Sequence, residues 1–514
     1  MSQTTILILT AFVAYLILMV IIGIICAKSN SNAEDYFLGG RKLGAFVAAL
    51  SAQASDMSGW LLMGLPGSVY ALGTGQAWIA VGLFLGTVAN WLFISKRLRR
   101  FTIRCNNSLT LPTFFENRFH DKRRILLLVS SVVIVIFFLV YTASSLAAGG
   151  KLFNAVFGID YRVALAIGAG VILVYTFMGG FLAVCVTDFV QGMLMLVALL
   201  AVPIVALGIV GPENISANLE ASGVNSANFL NMMTNGDTGE FNAIDIISQL
   251  AWGLGYMGMP HILVRFMAVR NEKELNKSKA VAIIWVTLSL VFAVLIGIIG
   301  RAYLSPVLAS GNEENVFIEM IRQIFTVDYN MAFIGGLFLC GVLAAIMSTA
   351  DSQLLVTASS VSEDIYRSII SKDADDKKVL KISRYTVVGV SLLAFLIAWN
   401  PNSSIMDLVS NAWAGLGAAF GPIVVLSLFW KRTNFHGAVA GIVTGAAAVI
   451  VWDYIPMIGG KTLGTATGLY SLAVGFGLGL LAIVVVSLLT PPPTEEMLQE
   501  FEDVKTGNIE GLND

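Results

Sequence analysis

Charge and cysteine are both scarce in this chain. Lysine, arginine, aspartate and glutamate supply 12% of its 514 residues, about half the share usual in a soluble domain, so most of its surface is not built to face water. The four cysteines, Cys26, Cys105, Cys185 and Cys340, are far apart and form no CxxC pair, and His120, His261 and His436 are just as scattered. Neither a disulfide framework nor a zinc site is expected from that spacing. A formal net charge of −2 gives no reason to expect nucleic acid as a partner. The GxGxxG formed by Gly253, Gly255 and Gly258 falls inside an apolar run rather than between a strand and a helix, which excludes a dinucleotide fingerprint. No enzymatic constellation is indicated.

What the chain has instead is apolar length. Hydrophobic residues make up 57% of it, and uncharged stretches of about 20 residues, the length that crosses a hydrocarbon core, recur from end to end. Lipid offers backbone groups no hydrogen-bond partner, so each stretch is expected to be a helix. Marking them predicts an all-α integral membrane protein of about thirteen transmembrane helices. The first run, 5 to 27, is too long for a signal-peptide core and meets Lys28 only at its far end, which predicts an uncleaved helix with its N-terminus outside. The loop after the third run would then be cytoplasmic. It holds Lys96, Arg97, Arg99, Arg100, Arg104, Arg118, Lys122, Arg123 and Arg124, as the positive-inside rule requires. The segment 212–240 has no Lys or Arg; its acids are Glu213, Glu220, Asp237 and Glu240, which places it outside. After Pro491 the tail is polar and acidic, and its predicted side is cytoplasmic.

Two runs depart from plain hydrophobic helix. SAQASDMSGW at 51–60 brings small residues, hydroxyls and Asp56 near membrane mid-depth, and WGLGYMGMPH at 252–261 packs three glycines and Pro260 into one short stretch. Glycine costs about 1 kcal/mol in a helix and proline about 3, so both stretches are expected to unwind. Paired interrupted helices in corresponding places of two halves point to a secondary-transporter site. If each opens a five-helix unit, the units run over 43–211 and 241–430, and an odd number of spans per unit inverts the second. That repeat rests on spacing, for the halves share no convincing residue-level identity. A leading helix and loop (1–42), two further helices (437–490) and the tail (491–514) complete the division.

An aspartate at the centre of a spanning helix costs about 2.5 to 3.5 kcal/mol, and something must offset it at Asp56. A carboxylate capping backbone or hydroxyl groups would do so, as would a proton carrier. The neighbouring Ser55, Ser58 and Gly59 favour a third reading, hard oxygen ligands and freed carbonyls for an alkali cation. AAIMSTADSQLL at 344–355 aligns Ala345, Ser348, Thr349 and Ser352 on one helical face, although such hydroxyls often only bond a preceding carbonyl. Asp351, beyond Ser348, reads equally as a way station for a departing cation or as a solvated interfacial acid. Trp60 follows the first break, Tyr141 lies within the fourth run, and Trp252 and Tyr256 are four apart on the seventh; such residues suit the walls of a small-solute pocket with an apolar body.

The motifs YFLGGRKLG (36–44), SDMSGWLLMGLPG (55–67), LTLPTFFENRF (109–119), GGFLAVCVTDFVQ (179–191), WGLGYMGMPHILVRFMA (252–268) and MST (347–349) together resemble the sodium/solute symporter family, and within it the sodium/proline symporters, over almost the whole chain. The resemblance implies leucine-transporter-like inverted five-helix repeats, one coupling Na+ and uptake of L-proline across the cell (cytoplasmic) membrane. Residue by residue it implies sodium held by the carbonyls of Ala54, Met57 and Ala345 and the hydroxyls of Ser348 and Thr349, with Asp56 needed for tight binding. Ser58, Gly59, Trp60, Tyr141, Trp252, Tyr256 and Pro260 match positions that line or shape the proline site. Arg41 and Asp188 match positions tied to coupling on the loop sides. Asp351 departs from the form of that segment in the enterobacterial carriers. A symporter for another small solute and a proton-coupled carrier are the alternative readings.

Overall fold

The structure is a computed structural model that describes residues 2–27, 33–176, 180–236 and 239–509; Lys28, Gly179 and Asp237 lie outside them. Among the described residues ten helices are long and apolar enough to cross a membrane. Gln3–Ala27, Ile125–Phe157, Phe181–Val210 and Glu272–Tyr303 are examples. Their outer faces are apolar: Ile25, Phe93, Leu396 and Leu489 are all exposed. Contiguous surface of that kind is disfavoured in water and matched by lipid chains.

Of the thirteen expected runs, the other three are two interrupted helices and one short helix, Tyr161–Thr176, so length and composition alone count ten. The first interrupted helix runs as Ala45–Asp56, breaks at Met57–Gly59, and resumes through a π-helical turn at Trp60–Gly64 into Leu65–Leu72. The second runs as Ala243–Leu250, narrows to a 3₁₀ stretch at Ala251–Gly258, and restarts at Pro260–Ala268. Proline at the first helical position lacks only an N–H that would have no intrahelical partner there. One boundary differs from expectation. The basic segment after the third run is not all loop, because the helix continues through Ser95–Arg104, where no glycine or proline stops it.

The two interrupted helices meet at one face of the molecule. The Leu43 amide donates to the Ala268 carbonyl (3.1 Å) and the Arg270 amide to the Leu43 carbonyl (3.0 Å). One helix begins where the other ends, so they traverse the molecule in opposite senses. The following helix, Ala77–Ala89, meets the second interrupted helix backbone on backbone: a Cβ added to Gly82 or Gly86 would overlap the main chain at Leu250 or Gly253. The helix Ala332–Ser359 lies beside the first break, with nearly every side chain from Gly335 to Ser359 on its inner turns buried.

Candidate functional site

The first break frees a carbonyl where the hydroxyl row passes. At Met57 the backbone leaves helical geometry (φ −86°, ψ 80°), and the Ser58 amide turns to the Asp56 carbonyl (3.0 Å) instead of reaching back to Ala54. The Ala54 carbonyl instead accepts from Ser348 Oγ (2.8 Å) and Thr349 Oγ1 (3.4 Å). Ser348 Oγ also bonds the Ala345 carbonyl (3.2 Å). Four of the five expected ligand groups thus share one cluster, and the fifth residue, Met57, is the break itself. Ala54, Met57, Ala345, Ser348 and Thr349 are all fully buried, so the hydroxyls face inward and not lipid.

Asp56 links this break to the other. Its Oδ2 accepts from the Tyr256 hydroxyl at 2.5 Å, and its carbonyl accepts from Trp60 Nε1 at 2.9 Å. Its Oδ1 is buried without a protein partner. The 3₁₀ stretch carrying Tyr256 is pinned by two side chains the sequence did not flag: Asn90 Nδ2 donates to the Tyr256 carbonyl (3.0 Å) and Trp413 Nε1 to the Trp252 carbonyl (2.8 Å). Trp252 stacks on Tyr470 at 5.3 Å and Tyr256 meets Trp413 edge-on at 5.1 Å. Gly255 is required here, since a Cβ would enter the Trp413 ring. Gly59 is equally confined, its Cβ position lying 2.7 Å from the Ala148 methyl carbon.

Ser58, Trp60 and Tyr141 are buried around the first break. Tyr141 packs 6.1 Å from the His261 ring, and its hydroxyl has no protein partner. Pro260 borders a cavity it shares with Thr110, Phe181, Val264 and Ser360. Ser58, Gly59 and Trp60 therefore lie at the first break, Trp252, Tyr256 and Pro260 at the second, and Tyr141 beside His261.

The residues tied to coupling fall elsewhere. Arg41 lies at the face where the interrupted helices meet, donating to the Met267 carbonyl (2.6 Å), the Ser108 carbonyl (3.0 Å) and Asn107 Oδ1 (2.8 Å). Asp188 is not on a loop side. It is fully buried in the second turn of Phe181–Val210, where Oδ2 accepts from Ser51 Oγ (2.7 Å) and pairs with Arg265 (3.2 Å). Arg265 also donates to Ser51 (3.1 Å), Ser352 (2.6 Å) and the His261 carbonyl (2.6 Å). A buried charge needs such partners, and sequence reading passed over Arg265 although it interrupts the apolar run ILVRFMA. Asp351 is fully buried and accepts from Thr176 Oγ1, which removes the solvated interfacial reading.

An all-α membrane fold with two interrupted helices set against a hydroxyl-bearing third is the architecture of leucine-transporter-like carriers. The fold matches a Na+-coupled sialic acid symporter in a substrate-bound outward-open state, with a TM-score of 0.75 at 20% identity, covering 95% of this chain and 99% of that one. The chain belongs to the sodium:solute symporter family, whose model matches residues 36–445. It is 44% identical to a high-affinity proline transporter of Bacillus subtilis over 94% of this chain and 98% of that one. It is 43% identical to a sodium/proline symporter of Salmonella typhimurium over 96% and 95%. Members of this family are transporters, not enzymes.

Proposed function

We propose that this protein is a secondary active transporter that couples the inward movement of Na+ to uptake of L-proline across the cell membrane. The observation that carries this reading is the junction of the two breaks: Ser348 and Thr349 on the Ala54 carbonyl, and Asp56 on Tyr256. Full-length relatives named as proline transporters support the choice of solute. In this reading Ala54, Met57, Ala345, Ser348 and Thr349 surround the cation with hard oxygen atoms, and Asp56 supplies the negative charge that offsets it. Ser58, Gly59, Trp60, Tyr141, Trp252, Tyr256 and Pro260 enclose the imino acid. Arg41, Asp188 and Asp351 act in coupling and exit.

Sodium draws the first break to the hydroxyl helix, and Asp56 passes that order to Tyr256 on the second. The imino acid then finds its pocket already assembled, so each ligand favours the other. One charge crossing about 100 mV yields about 2.3 kcal/mol, and a tenfold sodium ratio adds about 1.4. Together they sustain a proline ratio of several hundredfold at one-to-one stoichiometry. The inverted units are 43–211 and 241–430, supported by the opposite sense of the interrupted helices. The interrupted and short helices complete about thirteen spans. The N-terminus lies outside and the tail inside, on the side of the basic helix Ser95–Arg104.

Proteoliposome uptake tests this. Labelled proline should accumulate under an inward sodium gradient and not under a proton gradient alone. Accumulation driven equally by the proton gradient, or competed better by another small solute than by proline, defeats the proposal.

A further inference from the structure

Part of the polar tail is packed against the protein. Glu495–Thr506 is a helix, capped by Thr494, whose side chain accepts from the Met497 amide. It lies along Ser95–Arg104 and buries Met497, Phe501 and Val504. Phe501 packs 5.9 Å from Phe101, with the Arg118 guanidinium over both rings. Arg100 Nη1 donates to the Val504 carbonyl (3.0 Å) and Arg104 Nε to Asp503 Oδ2 (2.9 Å). The same basic helix also grips the segment that leaves the second interrupted helix. Arg99 donates to the Val269 and Arg270 carbonyls (2.8 and 2.7 Å), and Arg100 pairs with Glu272 (2.5 Å). A single helix thus joins the tail to the end of the second interrupted helix.

One imidazole sits in the tail's seam. His120 Nε2 is 3.2 Å from Glu500 Oε1 and Nδ1 is 3.5 Å from Glu496 Oε2, carboxylates one helical turn apart. Only the protonated ring donates from both nitrogens; the neutral ring would turn a lone pair toward one carboxylate. Glu496 is mostly exposed and contributes little by itself. Glu500 is nearly buried, and its remaining partners are distant: Cys105 Sγ at 4.0 Å and Arg104 at 3.9 Å. Two of the other charged groups around the ring are engaged elsewhere: Glu116 pairs with Arg124 (3.2 Å) and Asp121 accepts from the Arg123 and Leu126 amides. Arg118 lies over the aromatic rings with Nε and Nη1 unpaired and adds positive charge near Glu500, and Lys122 borders the same cleft.

We propose that Glu495–Thr506 is a proton-responsive strap, docked when His120 is charged and loosened when it is neutral, on the face that is cytoplasmic in the orientation proposed above. A buried Glu500 loses its nearest positive charge when the ring loses its proton, so docking weakens as pH rises. The docking does not depend on which solute is carried.

Cys105 lies under the strap and reports on it. In purified full-length protein with Cys26, Cys185 and Cys340 changed to Ala, maleimide labelling of Cys105 is measured at each pH and divided by the rate for the same protein unfolded in detergent. Protection should fall about tenfold from about pH 6 to about pH 8. It should be nearly flat in His120→Gln and strongly reduced in Phe501→Ala at every pH. Glu500→Gln, which removes the buried carboxylate that faces the ring, should blunt the pH response even if His120→Gln fails to fold. Wild-type protection that ignores pH, or a full response retained in Glu500→Gln, overturns the proposal. So does loss of protection on adding a chelator, which would make a metal ion the clamp.

Discussion

Asp56 keeps one carboxylate oxygen for Tyr256 and leaves the other buried with no protein partner. An unmet buried charge costs several kcal/mol, and the proposed sodium is the group that would offset it. Asp56→Ala should therefore abolish sodium-stimulated proline uptake while the protein still reaches the membrane, read as uptake against surface expression. Tyr256→Phe removes only the bridge between the breaks. It should raise the proline concentration for half-maximal uptake about tenfold, the worth of one charge-assisted hydrogen bond. Ser348→Ala and Thr349→Ala each remove a hydroxyl from the Ala54 cluster, and each should raise the sodium requirement rather than the proline requirement. Unchanged sodium dependence in both would remove them from the ion site. Asp188→Asn should leave Arg265 buried beside a neutral partner and lower the unfolding midpoint of the purified protein, by an amount corresponding to about 3 kcal/mol.

At the scale of the element, composition explains much of the site. The runs SAQASDMSGW and WGLGYMGMPH announce their breaks because glycine, proline and serine disfavour helix wherever they cluster. The spacing of Ser348 and Thr349 placed them on one face, and both are found there. Asn90, Trp413 and Tyr470 were not legible. Nothing in the local sequence of Asn90 says that its amide will hold a carbonyl 166 residues away, and Trp413 lies in an otherwise unremarked apolar helix. Arg265 was half legible: an arginine in an apolar run must find a carboxylate, but its partner Asp188 is 77 residues distant. Gly255 gives a test at this scale. Gly255→Ala drives a methyl into the Trp413 ring and should abolish uptake, and Trp413→Leu in the same protein should restore part of it by opening the space.

The molecule as a whole is defined by where it meets lipid and where it meets water. The apolar runs were readable because a spanning helix needs a fixed length of them. The docked tail was not, since a polar amphipathic segment looks alike whether it packs or is solvated. Sidedness is open to a direct experiment. Glu213→Cys should be labelled by an impermeant thiol reagent in intact cells, and Asn508→Cys only after permeabilisation; the reverse pattern would invert the proposed orientation.

The bare main-chain contact of Gly82 and Gly86 with Leu250 and Gly253 has a mechanical consequence. With no side chains between them, these surfaces have no compressible layer to shear, so in the proposed transport cycle the helix Ala77–Ala89 and the neighbouring half of the second interrupted helix would travel as one plate. Access to the pocket would then alternate at the Asp56–Tyr256 seam, with the Leu43 main-chain bonds to Ala268 and Arg270 as the hinge between the two interrupted helices.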